Sequence, residues 1–240
     1  QVTMLSIKHL YGDGEVILSP LNWISDVSSV IQNGFTPVFV DINYNNLALN
    51  EDLLLEKITN KTRAILLTHI LGLNGLTDNI INICKEKNIL LIEDVCESHG
   101  ATHNGQLLGT FGDVSNFSFF FAHHMTTIEG GMICTNNKKI YEMSKILRSH
   151  GMLREAKNKI YENSLIRKHK NLSPQFIFLY PTFNFRNNEI GAVIGLNQLK
   201  RLNKNNSIRT KNLKLFLRLL DPIKYRTDYD IVGSSNYAFP

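Results

Sequence analysis

Along the first 136 residues, short apolar runs alternate with stretches whose apolar positions recur at helical spacing. Glu15–Pro20, Pro37–Ile42, Arg63–Ile70 and Ile89–Asp94 are rich in Val, Ile and Leu and bounded by Gly, Asn or Asp, so they predict strands. Leu76–Lys87 carries Leu76, Ile80, Ile81, Ile83 and Cys84 at helical spacing with polar residues opposite, and Glu51–Ile58 predicts a second, shorter helix. Val114–Phe121 and Gly131–Thr135 predict two more strands. These strands are apolar throughout instead of alternating, the pattern of a parallel sheet covered by helices on both faces. From Lys138 the pattern turns helical, over Lys138–His150, Asn188–Leu202 and Arg209–Leu220, with a polar stretch at 152–175 that predicts a mobile loop. Val2–Leu10 opens inside an apolar helical pattern without a cap, and Tyr237-Ala238-Phe239-Pro240 ends apolar with nothing to pair with. The expectation is an internal fragment of a longer protein.

Composition narrows the class. With 43% apolar and 20% charged residues in 240, the chain has the make-up of a globular protein and not of a disordered or collagen-like one. Its longest nearly unbroken apolar run, Phe117 to Ala122, falls far short of the roughly 20 residues a membrane helix needs, so no membrane partner is expected. No basic segment followed by an apolar one opens the chain, which makes cytoplasmic location the expectation. Cys84, Cys96 and Cys134 are too far apart for a metal knuckle and odd in number, so neither a disulfide framework nor a metal site is predicted. His99 and His103 stand four apart, but Gly100 between them spoils a helical ligand pair.

Charge is unevenly spread. The total is +5, yet residues 1–137 hold 6 Lys and Arg against 14 Asp and Glu, while residues 138–226 hold 20 against 5. The basic half suits a nucleotide or phosphate, or else a solvated helix face rich in lysine. No aromatic-studded recognition motif accompanies it, so nucleic acid is not the expected partner.

In open α/β sheets ligands bind beyond the carboxyl ends of the strands. There the sequence places Glu93, Asp94, Cys96, Glu97 and His99 after one strand, and Ser118, His123, His124, Thr126 and Thr127 at the end of another. Trp23, the only tryptophan, follows a third. Taken singly, each has a structural reading: an acid at a strand end caps helices, and a lone tryptophan packs in cores.

Together the segments IEDVCESHGA, GTFGDVSNFSFFFAHHMTTIEGGMICT and FNFRNNEIGAVIGLNQLKRL resemble the vitamin-B6-dependent sugar aminotransferases and dehydratases of the DegT/StrS family, and LSPLNWISDVSSVIQNGFTPVFVDIN and ILRSHGM fit the same family. The resemblance covers essentially the whole chain. It implies the fold type I architecture of pyridoxal-phosphate enzymes, α/β with a mainly parallel, seven-stranded-type sheet. Residues 1–187 would form the large cofactor-binding domain, and 188–240 connecting helices and the start of a truncated small domain. It also implies a homodimer with a shared active site. By position, Asp94 resembles the acid that pairs with the pyridine nitrogen, Trp23 the aromatic stacked on the ring, and Ser118 the hydroxyl on the phosphate. Asn184 resembles the residue that reaches the phosphate from the neighbouring subunit, and Glu97 stands where many members place a glutamine near the ring hydroxyl. His150 and Arg186 are candidate substrate contacts. The family's phosphate-cradling Gly-Ser or Gly-Thr pair would lie upstream of residue 1.

One position departs from the aminotransferase pattern. Five residues after Ser118, where aminotransferases carry the lysine that bonds covalently to the cofactor, stands His123. A register slip cannot supply a lysine, because residues 88–137 contain none of the chain's 17. An imidazole holds no cofactor covalently, but with a free pKa of ~6.5 it moves protons near neutrality. This exchange is similar to the 3-dehydratases of sugar-nucleotide metabolism. It implies a lyase acting on a nucleotide-linked, GDP-type 4-keto-6-deoxyhexose in deoxysugar synthesis for lipopolysaccharide. Pyridoxal and pyridoxamine phosphate would be the cofactor forms and L-glutamate the amino donor, with His123 as the catalytic acid and base. An aminotransferase of the same family and an inactive cofactor-binding homologue are the rival readings. A branch that uses an iron–sulfur cluster is disfavoured, since no cysteine follows Cys134.

Overall fold

The computed structural model describes residues 1–156 and 159–240. It opens with helix α1 (Val2–Tyr11), strand β1 (Glu15–Leu18), helix α2 (Ile24–Gln32) and strand β2 (Thr36–Phe39). Next come α3 (Glu51–Lys57), β3 (Thr62–Thr68), α4 (Asp78–Lys87) and β4 (Leu90–Asp94). A short antiparallel hairpin, β5 (Thr102–His103) with β6 (Gln106–Leu107), precedes β7 (Val114–Ser118) and β8 (Gly131–Cys134). Three helices follow: α5 (Lys138–Leu147), α6 (Lys159–Lys168) and α7 (Glu189–Leu219).

Six strands form the main sheet in the order β2-β1-β3-β4-β7-β8; the first five run parallel and β8 returns antiparallel at the edge. The mainly parallel sheet read from the sequence is present, with six strands among the described residues. Alternate residues of each strand feed two cores, as the two-residue repeat of a strand requires. Ile17, Ile65, Leu67 and Leu91 meet Leu54 of α3 and Ile80, Ile83 and Cys84 of α4 on one face. Val16, Leu18, Ala64, Leu66 and Ile92 meet Met4 and Ile7 of α1, Val30 of α2 and Ile140 of α5 on the other. This double burial explains the unbroken apolar runs Val16-Ile17-Leu18 of β1 and Ala64-Ile65-Leu66-Leu67 of β3. Helix α4 starts where the Thr77 hydroxyl accepts the Ile80 N–H at 3.1 Å and stops at Asn88, whose left-handed backbone (φ 55°) ends the turn.

Strand order sets the site. The chain leaves β1 toward one edge to form β2, then crosses back to build β3, β4 and β7 on the other side. The carboxyl ends of β1, β3, β4 and β7 therefore share one rim on either side of the switch in direction, the crevice such sheets use for ligands.

Two expectations are corrected. The two helices predicted over Asn188–Leu202 and Arg209–Leu220 are one 31-residue helix. Nothing in Asn203–Ile208 breaks it, for that stretch has no Gly or Pro, and the Asn206 side chain turns inward to donate to the His99 carbonyl at 2.6 Å. The stretch at 152–175 is not a plain loop: it contains a short 3-10 turn (Leu153–Glu155), α6 and the start of a second 3-10 turn (Pro174–Phe176). Leu153, Ala156 and Ile177 bury together with Ile146 of α5 there. The part of that expectation at residues 157 and 158 lies outside the described residues. Strand ends are also shorter than the apolar runs: β1 stops at Leu18, β2 at Phe39 and β7 at Ser118, where backbone pairing gives way to the rim loops.

Candidate active site

Strand β4 places two acids side by side and sends them to opposite faces. Glu93 turns into the protein with no exposure, so its place among the expected rim groups is corrected. Its carboxylate accepts the backbone N–H groups of Gly109 at 2.7 Å, Phe111 at 2.9 Å and Gly112 at 2.7 Å. His69, buried as fully, brings Nε2 to 3.4 Å from it. Burial opposes ionisation of Glu93, but the hydrogen bond and charge of His69 and the Gly109 and Gly112 N–H groups outweigh it, and the carboxyl ends below its usual range. Glu93 and His69 fasten the loop between β6 and β7.

Asp94 faces the rim, 8% exposed, with Oδ1 accepting the Cys96 N–H at 2.8 Å. Glu97, one turn on, accepts the Leu71 N–H at 2.8 Å. Burial first, and the Asp94 charge after it, push the Glu97 carboxyl up, while His123 pulls it back. These three groups therefore share one electrostatic neighbourhood. Among the described residues, no Lys or Arg side chain forms an ion pair with Asp94 or Glu97.

At the end of β7 the chain turns through Phe119–Ala122, and the His123 N–H donates to the Phe120 carbonyl at 3.1 Å. The ring of His123 donates from Nδ1 to the Ser118 carbonyl at 3.3 Å, which leaves Nε2 as the acceptor nitrogen. Phe120, Tyr237 and His99 surround the ring with centroids 5.7, 5.4 and 6.3 Å away. The Ser118 hydroxyl accepts the Phe120 N–H at 3.3 Å. Trp23 caps α2 directly after β1 and is 71% exposed, a large flat face left open at the rim.

Behind His123, His124 is buried and donates from Nε2 to the Ser235 carbonyl. Burial lowers His124 to about 4 and the neighbouring His99 to about 3, so both rings are neutral near pH 7. His103 is tied to Asp78 at 2.9 Å and to Asn74, away from His99.

His150, Asn184 and Arg186 form a second group. Ser149 and Asn184 make an isolated antiparallel bridge, the His150 N–H donates to the Phe183 carbonyl at 2.8 Å, and Arg186 Nε donates to the Ser149 hydroxyl at 2.8 Å. Glu155 lies 3.9 Å from the Arg186 guanidinium, so within this chain that side chain already has partners. Asn184 is exposed. Among the described residues no hydrogen bond links this group to Asp94, Glu97 or His123.

Two rim residues escaped the sequence reading. Tyr237 belongs to a C-terminal strap whose Ser235 and Tyr237 N–H groups donate to the Gly72 and Leu71 carbonyls, which brings its ring edge-on to His123. Asp26, in the first turn of α2, is 8% exposed and accepts the Thr68 hydroxyl at 2.8 Å. An acid three residues after Trp23 was the one signal for it.

A buried carboxylate without a cation, an open aromatic plate, a strand-end hydroxyl and an imidazole with one free nitrogen suit a planar, cationic heterocycle bearing an anionic arm. The fold is that of pyridoxal-phosphate-dependent enzymes, and the donor set is compatible with that cofactor. The chain belongs to the DegT/DnrJ/EryC1/StrS aminotransferase family, whose model matches residues 2–236, and the family is pyridoxal-phosphate-dependent. It is similar to the GDP-4-keto-6-deoxy-D-mannose 3-dehydratase of Escherichia coli O55:H7, at 37% identity over 93% of this chain and 57% of the relative. It is also similar to the GDP-perosamine synthase of Escherichia coli O157:H7, at 34% identity over 83% of this chain and 50% of the relative. A solved E. coli GDP-4-keto-6-deoxy-D-mannose-3-dehydratase with bound hydrated PLP superposes with a TM-score of 0.83 at 30% identity, covering 99% of this chain and 63% of that one. The chain thus spans less than two thirds of the length of these relatives.

Proposed function

We propose that the protein is a 3-dehydratase of a GDP-linked 4-keto-6-deoxyhexose, serving deoxysugar synthesis for lipopolysaccharide. His123 carries this reading: an imidazole, fixed by the Ser118 carbonyl, stands where a covalent tether would need lysine. The dehydratase relatives support the substrate class. When bound, pyridoxamine phosphate supplies an amine for the sugar's C4 ketone and a ring that accepts electrons.

This chain's residues do the rest. Asp94 sets its carboxylate at the ring nitrogen and keeps it protonated. Trp23 covers one face of the ring and excludes water from it. The Ser118 hydroxyl, with Asn184 of a second copy, holds the phosphate, and Glu97 stands near the ring hydroxyl. With Nδ1–H held by Ser118, the Nε2 of His123 takes the proton from the cofactor's C4′ carbon and delivers one to the departing C3 hydroxyl. With the cofactor bound and no lysine to recapture it, water would cleave the bond between its C4′ and the sugar nitrogen and then the C4–nitrogen bond of the sugar, giving a 3-deoxy ketosugar and ammonia and leaving the cofactor as its aldehyde. His150 and Arg186 border the sugar, and L-glutamate restores the amine.

A homodimer completes the site. Ile190, Val193, Leu196 and Leu199 leave an apolar stripe exposed along α7, as do Trp23 and Phe121 at the rim.

The test is the full-length protein with pyridoxal phosphate and glutamate. The expected result is conversion to a pyridoxamine-type spectrum, no cofactor trapped on the protein by borohydride, and ammonia released with a 3-deoxy product. A stable amino sugar would instead assign the chain to the perosamine-synthase side of the family.

A further inference from the structure

Asp26 is a buried acid that the reaction above leaves unused. Helix α2 carries it over the carboxyl end of β3, where its Oδ2 accepts the Thr68 hydroxyl at 2.8 Å. Thr68 is in register with Asp94 on the neighbouring strand, so the hydroxyl holds Asp26 beside the very carboxylate that faces the rim. The two side chains are each 8% exposed and lie close enough for one carboxyl to hydrogen-bond the other. Two carboxylates can share a hydrogen bond only if one is protonated, because an ionised carboxylate has no proton to give.

The surroundings decide which one. Asp94 also accepts the Cys96 N–H, a bond that favours its charged form, whereas Asp26 has only the Thr68 hydroxyl. The groups facing Asp26 are Asp94 and Thr68 from the sheet and the Cys96 thiol just beyond β4. Burial, before the charges of Asp94 and Asp26, pushes the Cys96 thiol up, so it stays neutral, and Glu97 acts on Asp94's neighbourhood rather than directly on Asp26. Burial, and then the Asp94 charge, push the Asp26 carboxyl well above its usual range. A pair carrying one proton has a single negative charge, which matches one protonated ring nitrogen.

We propose that Asp26 is a positioning residue: a neutral carboxyl, braced by Thr68, that donates its proton to Asp94 and holds that carboxylate toward the cofactor's ring nitrogen. The inference rests on Asp94 taking the ring nitrogen, and its test separates the two.

The sign of the pH effect follows from the protonated state. A folded carboxyl that keeps its proton above the unfolded value of ~3.9 makes stability fall as pH rises toward the folded value. Asp26→Asn keeps the donor and removes the titration. The melting temperature of this variant, measured without cofactor in the full-length chain, should therefore gain on the parent as pH rises from 5 to 8. Asp26→Leu removes the donor. Absorbance titration with pyridoxal phosphate should show at least tenfold weaker binding for Asp26→Leu and binding within about threefold of the parent for Asp26→Asn. A melting difference that does not change with pH, or Asp26→Leu binding pyridoxal phosphate as the parent does, overturns the proposal. Should Asp94→Asn bind pyridoxal phosphate with unchanged affinity and spectrum, the placement of Asp94 fails and the proposal falls with it. Weakened binding in Asp94→Asn with flat Asp26 results removes the Asp26 proposal alone.

Discussion

At His123 the ring's value lies in which nitrogen is free. Asparagine can reproduce the hydrogen bond to Ser118 but cannot move a proton, so His123→Asn is expected to lower formation of 3-deoxy product by about 10²- to 10⁴-fold, measured in single turnovers. Glu93 sits one position from Asp94 and has a structural task. Glu93→Gln withdraws the charge from three backbone N–H groups and should cost about 3 kcal/mol in a urea melt. That deficit should shrink in acid, since a carboxyl held below its usual range gives stability that is lost as pH falls through its folded value. His99 and His124 work in the same direction. Buried and neutral when folded, they take up protons on unfolding, so together they should remove roughly 2 kcal/mol of stability between pH 6 and pH 5, seen as a falling urea midpoint. Motif spacing survives in one dimension, which is how the sequence singled out Asp94, Glu97 and His123, and the structure brings the three within electrostatic reach of one another. The sequence could not make Glu93 legible as an inward group, because two consecutive acids look alike until a strand assigns them faces. Asp26 was hidden for a related reason: its burial depends on Thr68, 42 residues away.

Among the elements, the strands were readable and the helix boundaries less so. Burial on both faces writes itself into composition, as Val16-Ile17-Leu18 and Ala64-Ile65-Leu66-Leu67 show. Helix α7 was split in the reading because Asn203–Ile208 has weak helix formers, and a contact made far along the chain, Asn206 on the His99 carbonyl, holds it continuous. The C-terminal strap tests how far such distant contacts matter. Gly233 has φ 70°, and its Cα faces the Thr102 carbonyl closely enough that a methyl group would collide with it. Gly233→Ala should unseat the strap at a cost of about 2 kcal/mol. Hydrogen exchange at the Ser235 and Tyr237 amides should quicken first, with the amides of β3 and β4 unchanged.

For the whole molecule, Ile190, Val193, Leu196 and Leu199 stay exposed along α7, an apolar stripe to which the fold gives no intramolecular use among the described residues. Leu196→Asp should shift the full-length protein from dimer to monomer in light scattering and weaken pyridoxal-phosphate binding, since the proposed site draws Asn184 from a second copy.

The peptide at the end of β7 has a double duty. Under the proposed function its serine hydroxyl holds the phosphate, while its carbonyl fixes the imidazole's orientation. Whatever moves this one peptide moves both the mooring of the ligand and the aim of the group that attacks it, in the same direction and by a similar amount. Small distortions of the sheet edge would then leave the separation between base and reacting carbon nearly constant, a tolerance that an enzyme with an untethered cofactor needs more than one with a covalent leash.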